Sequence, residues 1–170
     1  RGVACHDRMR DSSSGGTLYL MARLHEYEGK RLLTEQGIAV PMGQAVRTPE
    51  EAEQIARDIG GPVVLKVQAW ITGRKSKGGV LFADTPAESK AAAAQLLDMS
   101  FGNFPVEEVL VEQCLNIAHE LFVSLTIDDA ARAPVLLLDC AGGSGIEDRA
   151  DTVARLPIDV SSGISGPAVA

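Results

Sequence analysis

The apolar residues of this chain follow two periods along the sequence, one typical of helices and one typical of strands. Helical spacing covers residues 24–36, 48–59 and 85–99. The second and third of these segments open with Thr-Pro-x-Glu, which offers an N-cap hydroxyl, a proline at the first helical position and a glutamate three residues on. Short apolar runs predict strands over residues 43–46, 63–68, 80–83, 109–113, 120–128, 134–140 and 154–158.

Strands alternate with helices early in the chain and pair as a hairpin late in it. Residues 120–128 alternate strictly between apolar and polar side chains, residues 128–133 form a turn, and residues 134–140 return as the partner strand. We therefore predict an α+β fold with mixed or antiparallel sheets flanked by helices, rather than a doubly wound parallel sheet. The apolar run over residues 135–138 is expected to lack full cover.

The chain divides into three parts by composition. Residues 1–20 contain a run of serines and glycines and predict a disordered extension or tag. Residues 21–160 carry all the helix and strand patterns, and residues 161–170 predict a flexible tail. Because no closing helix follows the last strand, we expect a fold that is incomplete at its C-terminus.

Composition and charge limit the class of function. The 170 residues are 45% hydrophobic and 23% charged, with a net charge of −7, which argues against nucleic acid or an anionic membrane as the main partner. Three cysteines without a metal-binding spacing predict a reduced, cytoplasm-like compartment. No apolar stretch has the length of about 18 residues that a membrane helix needs.

Positive charge is concentrated in one segment despite this overall acidity. Four of the sixteen Lys and Arg residues lie between Lys66 and Lys77. Lys66 interrupts an apolar strand, where a desolvated ammonium requires an anion, and we expect that this anion is missing from the chain itself. The following loop, residues 72–79, mixes three cations with three glycines, which let a backbone approach a phosphate closely. A solvated basic turn explains the segment alone equally well.

Several short motifs occur along this chain in the same order as in a known protein family. Residues 24–30 read LHEYEGK, residues 63–68 read VVLKVQ, and residues 111–121 read VEQCLNIAHEL. Gly-Ile-Ala-Val-Pro at 37–41 and Gly-Gly-Ser-Gly-Ile-Glu at 142–147 stand at the expected places between and after them. Residues 21–160 thus resemble the N-terminal ATP-grasp region of the succinyl-CoA synthetase β subunit and its acyl-CoA ligase relatives.

The resemblance implies a role for the basic segment. Lys66 matches a lysine that reaches the nucleotide phosphates, and Gly73, Arg74 and Lys75 match a loop that covers the triphosphate. The family loop is richer in glycine, since Thr72 and Lys75 stand here in place of glycines. This change reduces backbone freedom and adds positive charge.

Four further residues are implied at the nucleoside. Glu112 and Leu115 match the segment that contacts the adenine, and Glu120 matches an acidic residue placed for the ribose hydroxyls. Pro41 matches a position next to the nucleotide where proline accompanies ATP rather than GTP. Without the resemblance, Glu112 and Glu120 would be interpreted as solvated surface charges.

The implied function is the nucleotide-binding portion of an ATP-dependent acyl-CoA synthetase, which joins a carboxylate to CoA and releases ADP and phosphate. The implied cofactors are ATP and Mg²⁺, with the metal ligands outside this chain, and we identify no catalytic residue. The implied partner is an α-type CoA-binding subunit or a second copy, in the cytoplasm or the mitochondrial matrix. We expect no acyl-CoA formation by this chain alone. The alternative is a non-catalytic nucleotide-binding or subunit-association fragment.

Overall fold

A computed structural model describes residues 24–71, 73–143 and 153–164. The predicted extension over residues 1–20, Thr72, residues 144–147 of the last motif and residues 165–170 of the predicted tail lie outside this description. The α+β class is confirmed, with helices packed on antiparallel sheets. No helix in the described ranges is long and apolar enough to cross a membrane.

The described elements follow the predicted order. The helices are α1 (Glu26–Glu35), α2 (Pro49–Ile59) and α3 (Pro86–Leu97). The strands are β1 (Gly43–Val46), β2 (Val63–Val67), β3 (Val80–Ala83), β4 (Ser100–Phe101), β5 (Phe104–Pro105), β6 (Val109–Gln113), β7 (Phe122–Asp128), β8 (Ala133–Asp139) and β9 (Ala154–Pro157). The hairpin of β4 and β5, which turns at Gly102 with φ +64°, was not predicted because each strand has only two residues.

Four strands form the central sheet in the order β1-β6-β2-β3, and every neighbouring pair is antiparallel. One face of this sheet carries the apolar side chains of alternate residues, and these pack with α2 and α3 into the core. On the strands the buried core side chains are Val46, Val63, Leu65, Val67, Ala83, Val109 and Val111. The other face carries Lys66 and Glu112.

Helices α2 and α3 begin where the sequence predicts. Thr48 accepts a hydrogen bond from the Glu51 amide at 3.3 Å, and the Glu51 carboxylate accepts one from the Thr48 amide at 3.1 Å, which completes the first capping box. The second predicted capping box, at the start of α3, is only half formed. Thr85 accepts from the Glu88 amide at 3.2 Å, but the Glu88 carboxylate accepts from the Asp84 amide instead of from Thr85.

Small side chains let α2 and α3 pack closely together. Ala52, Ala56, Ser89 and Ala93 are all buried, and the Ser89 hydroxyl donates a hydrogen bond to the Ala52 carbonyl at 3.2 Å. A contact made by alanine and serine leaves no space for a longer side chain.

A second sheet contains β7, β8 and β9, with seven residue pairs joining β7 to β8. The hairpin is confirmed. Of residues 135–138 only Val135 is buried and the other three are partly exposed, so the run lacks full cover as predicted, but β7 is the more open strand. Val135 is only 3% exposed, whereas Val123, Leu125 and Ile127 of β7 are 62%, 66% and 61% exposed. The described residues therefore leave the apolar face of β7 open.

Residues 159–164 form a turn at the end of the described chain. The Asp159 carboxylate accepts hydrogen bonds from the Ser161 and Ser162 amides at 2.7 and 3.1 Å. The Gly163 amide donates to the Asp159 carbonyl at 2.7 Å. The flexible tail predicted from residue 161 stays a prediction for residues 165–170.

We predict that Ala93→Leu lowers the free energy of unfolding by about 1–3 kcal/mol, because overpacking forces the two helices apart. Chemical denaturation followed by circular dichroism measures this change. Ala94→Leu, at an exposed position of the same helix, is the matched control and should change stability by less than about 0.5 kcal/mol. Equal effects of the two substitutions would contradict the close packing of α2 on α3.

Candidate functional site: a charge cluster on the open face of the central sheet

Five charged side chains meet on the face of the central sheet that is turned away from α2 and α3. They are Glu26 and Lys30 of α1, Lys66 of β2, Glu112 of β6 and Arg74 of the basic loop; we call them the charge cluster. Three positive and two negative groups leave a formal charge of +1.

The strand register brings two members of the cluster together. Glu112 lies opposite Val64 and Lys66 lies opposite Leu110, so Lys66 and Glu112 are diagonal neighbours on one face of the β2–β6 pair. Long side chains reach each other across this diagonal. Glu26 and Lys30 lie one helical turn apart on α1, which places them on the same side of that helix.

Glu26 holds two of the cations with its two different oxygens. Lys66 Nζ lies 2.9 Å from Glu26 Oε1, and Arg74 Nη2 lies 2.9 Å from Glu26 Oε2. Lys30 Nζ also contacts Oε1, at 3.0 Å. The Glu26 carboxylate thus bridges the strand lysine and the loop arginine.

Glu112 is the buried member of the cluster. Only 3% of the residue is exposed, and its carboxylate accepts hydrogen bonds from both Lys30 and Lys66. A buried carboxylate without partners would be strongly unfavourable, so these two lysines permit its burial. The structure therefore supplies anions for Lys66 from within the chain, and the expectation that this lysine lacks such a partner is wrong.

The cluster shifts the pKa values of its members. Partial burial alone would raise the pKa of Glu26, but hydrogen bonds and charges from Lys66 and Lys30 outweigh it and lower this pKa from 4.5 to about 2. Burial acts in the opposite direction on the Lys66 ammonium, and its bonds to Glu112 and Glu26 again prevail and raise the pKa of Lys66. Both of these groups are therefore charged at neutral pH.

The basic loop closes on itself next to β2. Arg74 Nη1 donates to the Val67 carbonyl at 3.1 Å, and the Gly79 amide donates to the Arg74 carbonyl at 2.8 Å. A Cβ at Gly79 would lie 2.7 Å from Val67 Cγ2, so only glycine permits this approach. The amides of Lys77 and Gly78 likewise donate to loop carbonyls, so these amides and that of Gly79 are engaged within the loop.

Pro41 lies beside the charge cluster. It lines a cleft that Lys30, Gly43 and Glu112 also line. Gly43 is required there, because a Cβ at this position would come within 2.5 Å of both Glu112 Cβ and the Val111 carbonyl. The cleft thus runs from the buried carboxylate of Glu112 toward the segment that enters β1.

Leu115 and Glu120 lie on the segment that connects β6 to β7, and both are exposed. The Glu120 carbonyl accepts a hydrogen bond from the Gly142 amide at 2.8 Å. A Cβ on Gly143 would collide with the Glu120 carboxylate. Glu120 therefore lies against the turn that follows β8, outside the charge cluster.

A family model described as "ATP-grasp domain" matches residues 23–169. The chain belongs to the ATP-grasp family. This match extends over every helix and strand that the structure describes. The predicted resemblance and the ATP-grasp-like fold are thereby confirmed.

Curated relatives of this ATP-grasp chain carry the name of one enzyme subunit. "Succinate--CoA ligase [ADP-forming] subunit beta" of Pyrobaculum arsenaticum is 38% identical over 146 residues, which are 84% of this chain and 38% of the relative. "Succinate--CoA ligase [GDP-forming] subunit beta" of Thermus thermophilus is 39% identical over 144 residues, which are 82% of this chain and 38% of the relative. The chain spans about two fifths of the length of these relatives.

Solved ATP-grasp structures agree on the fold. Dinucleotide-forming acetyl-coenzyme A synthetase 1 of Ca. Korarchaeum cryptofilum, in complex with coenzyme A, Ca-AMPCP and HgCl+, superposes with a TM-score of 0.67 at 26% identity. The match covers 78% of this chain and 59% of that one. ATP citrate lyase of Methanothrix soehngenii, at 18% identity, superposes with a TM-score of 0.62 over 83% of this chain and 36% of that one.

The structure brings together some of the residues predicted for the nucleotide and separates others. Lys66, Arg74 and Glu112 meet in the charge cluster, with Pro41 lining the adjoining cleft. Gly73, with φ +67°, precedes Arg74, and Lys75 is exposed beyond it. The roles assigned to these residues stay predictions.

Two members of the cluster were missed by sequence reasoning. Nothing in the sequence connects Glu26 and Lys30 to the strands, because their spacing of four residues is explained by a surface pair on the helix alone. The available signal was the pair of charges Lys66 and Glu112 on two otherwise apolar strands, since buried charges require further partners. Only the tertiary structure identifies α1 as their source.

Metal ligands are not assembled in the described part of the chain. No group of three His, Cys, Asp or Glu side chains converges there. Both carboxylates of the charge cluster are already paired with cations. These residues fit an anion better than they fit Mg²⁺.

We predict that Glu26 stabilises the fold above pH 4.5 and that this contribution is lost between pH 4.5 and about 2. The folded pKa of Glu26 lies below its unfolded value of 4.5, so protonation on acidification favours the unfolded state. Thermal melts of wild type and Glu26→Gln should differ most at pH 6 and converge toward pH 2.

Glu35→Gln is the matched control, because Glu35 lies at the exposed end of the same helix. Its melting temperature should follow that of wild type at every pH. A difference between wild type and Glu26→Gln that stays constant from pH 6 to pH 2 would contradict a lowered pKa for Glu26.

Proposed function

We propose that the charge cluster binds the phosphates of ATP and that the chain is the nucleotide-binding portion of an ATP-dependent acyl-CoA synthetase. The observation that carries the proposal is the convergence of Lys66 and Arg74 on one carboxylate. Each cation lies 2.9 Å from a different oxygen of Glu26. Two cations that contact different oxygens of one carboxylate suit an anion with several oxygens.

The chemistry of the two cations suits phosphate. A lysine acts as a compact point charge, whereas the arginine fork can direct two N–H groups at two oxygens. Phosphoryl transfer requires mainly that the phosphates be positioned and their charge neutralised. Lys66 and Arg74 would provide both from a strand and an adjacent loop, and Mg²⁺, when bound with the nucleotide, would supply further neutralisation of the phosphate charge.

The nucleoside would extend from the phosphates along the β6 end of the sheet. Pro41 and the segment from Glu112 to Leu115 would contact the adenine, and Glu120 would accept hydrogen bonds from the ribose hydroxyls. The support for this direction is the cleft that joins Glu112 to Pro41. Glu120 lies further along the same chain segment.

The reaction of the whole enzyme is proposed from the relatives. Those relatives are named succinate–CoA ligase subunit beta. By analogy, the full protein would join a carboxylate to CoA while ATP is converted to ADP and phosphate, together with an α-type CoA-binding subunit. Among the described residues, the cluster contributes binding and charge neutralisation to this reaction.

A role limited to nucleotide binding or subunit association is the second candidate. The observation that favours it is the open apolar face of β7, where Val123, Leu125 and Ile127 are each more than half exposed. A strand face of this kind needs cover from further protein. Association and nucleotide binding are compatible, because β7 and the charge cluster use different strands.

We predict that Lys66→Ala weakens ATP binding at least tenfold, because it removes one of the two cations that would meet the phosphates. Isothermal titration of the chain with ATP and Mg²⁺ measures the affinity. Lys77→Ala is the matched control, since it removes the same charge from an exposed position in the adjacent basic loop. It should change the affinity by no more than about threefold.

Thermal melts separate this effect from a structural one. Lys66 also pairs with Glu26 and Glu112, so Lys66→Ala is expected to lower the melting temperature as well. A variant that melts lower but binds ATP as tightly as wild type would show that Lys66 serves the fold alone.

We predict that the chain prefers ATP to GTP by about tenfold or more, a difference of about 1.4 kcal/mol. Proline has no N–H to offer the guanine carbonyl, and this is the reason that Pro41 favours adenine. Relatives named as ADP-forming and as GDP-forming are equally similar to this chain, so the preference requires measurement.

Competition of the two nucleotides for a fluorescent ATP analogue measures the preference. Pro41→Ala restores a backbone N–H and should reduce the preference for ATP over GTP. Pro86→Ala, at the start of α3, should leave this preference unchanged. Equal displacement by ATP and GTP in wild type would contradict the assignment of Pro41.

A further inference from the structure

We propose that Glu26 occupies the phosphate position of the charge cluster and that a nucleotide binds by displacing its carboxylate from Lys66 and Arg74. This inference rests on the proposed nucleotide binding and adds an internal competitor to it. Its basis is the bridging geometry, in which one carboxylate satisfies the strand lysine and the loop arginine at 2.9 Å each.

The Glu26 carboxylate resembles a phosphate in the features that the two cations recognise. It carries negative charge on two oxygens, it contacts each cation through a different oxygen, and it is partly accessible, with 21% of its side chain exposed. A phosphate that approaches from solvent can therefore reach both cations once the carboxylate moves aside.

The other members of the cluster stay paired when Glu26 leaves. Glu112 keeps both Lys30 and Lys66, and Arg74 keeps its hydrogen bond to the Val67 carbonyl. No buried charge of the cluster is left without a partner, which would be the main penalty for breaking such a network. The exchange of one anion for another is thus confined to the contacts of Glu26.

Helix α1 imposes little packing cost on this exchange. No residue of α1 is buried, and residues 31–35 are exposed along its second half. Apart from the charge cluster, two contacts hold the start of the helix among the described residues. His25 stacks on Trp70 with ring centroids 4.9 Å apart, and Tyr27 contacts Glu108. Small movements of Glu26 and of the first helical turn therefore leave the apolar core intact.

An internal competitor lowers apparent affinity by the fraction of time for which it occupies the cations. If Glu26 holds Lys66 and Arg74 in about nine molecules of ten, the apparent affinity for phosphate is about tenfold weaker than the intrinsic affinity. Glu26→Gln should therefore bind ATP about tenfold more tightly than wild type. The same variant should melt at a lower temperature without nucleotide.

Two further variants separate competition from general electrostatics. Glu35→Gln removes the same charge from the exposed end of α1 and should leave the affinity within about twofold of wild type. Glu26→Asp keeps the charge but shortens the side chain by one methylene, which withdraws the carboxylate from its two partners. It should bind ATP more tightly than wild type, although less tightly than Glu26→Gln.

The experiment is isothermal titration of all four proteins with ATP and Mg²⁺, and separately with inorganic triphosphate, with circular dichroism to confirm folding. Tighter binding of both anions by Glu26→Gln and Glu26→Asp is the expected result. Equal or weaker binding by both variants, with binding by wild type intact, would overturn this inference alone and make Glu26 a residue that positions the cations. Absence of binding by every protein would overturn the proposed function together with it.

Discussion

The antiparallel pairing of β2 with β6 places the apolar core and the charge cluster on opposite faces of the same two strands. Leu65 and Val111 face the helices, while Lys66 and Glu112 face the other side. A slip of one residue in this register would turn over the side chains of one strand relative to the other, so that Lys66 and Glu112 would lie on opposite faces of the pair. The core and the candidate site therefore depend on one register.

The charge cluster serves both stability and the proposed binding. Glu112 can be buried only because Lys30 and Lys66 donate to it, and Glu26 links these lysines to the basic loop. One positive charge remains in excess on a chain whose formal charge is −7. The surplus favours an anionic ligand at this place, although the protein as a whole repels anions.

In the basic loop, backbone hydrogen bonds hold the loop closed, and a side chain makes the contact with the charge cluster. Its amides at Lys77, Gly78 and Gly79 are engaged by the loop's own carbonyls, and Gly79 allows it to lie against Val67. Glycine-rich loops that bind phosphate through free amides need an open backbone. In this closed arrangement the Arg74 side chain is the part of the loop that reaches the cluster.

The sequence by itself determined the features that arise within a short stretch of chain. Periodicity and Thr-Pro caps located the helices, alternation located the β7–β8 hairpin, and motif order indicated the ATP-grasp family, because each of these depends on residues close in sequence. The tertiary structure alone decided which charges meet. Glu26 contacts Lys66 and Arg74 across 40 and 48 residues, and Lys30 contacts Glu112 across 82, so no local pattern contains these pairs. The tertiary structure also decided that the apolar face of β7 is open, since alternation predicts an apolar face but not what covers it.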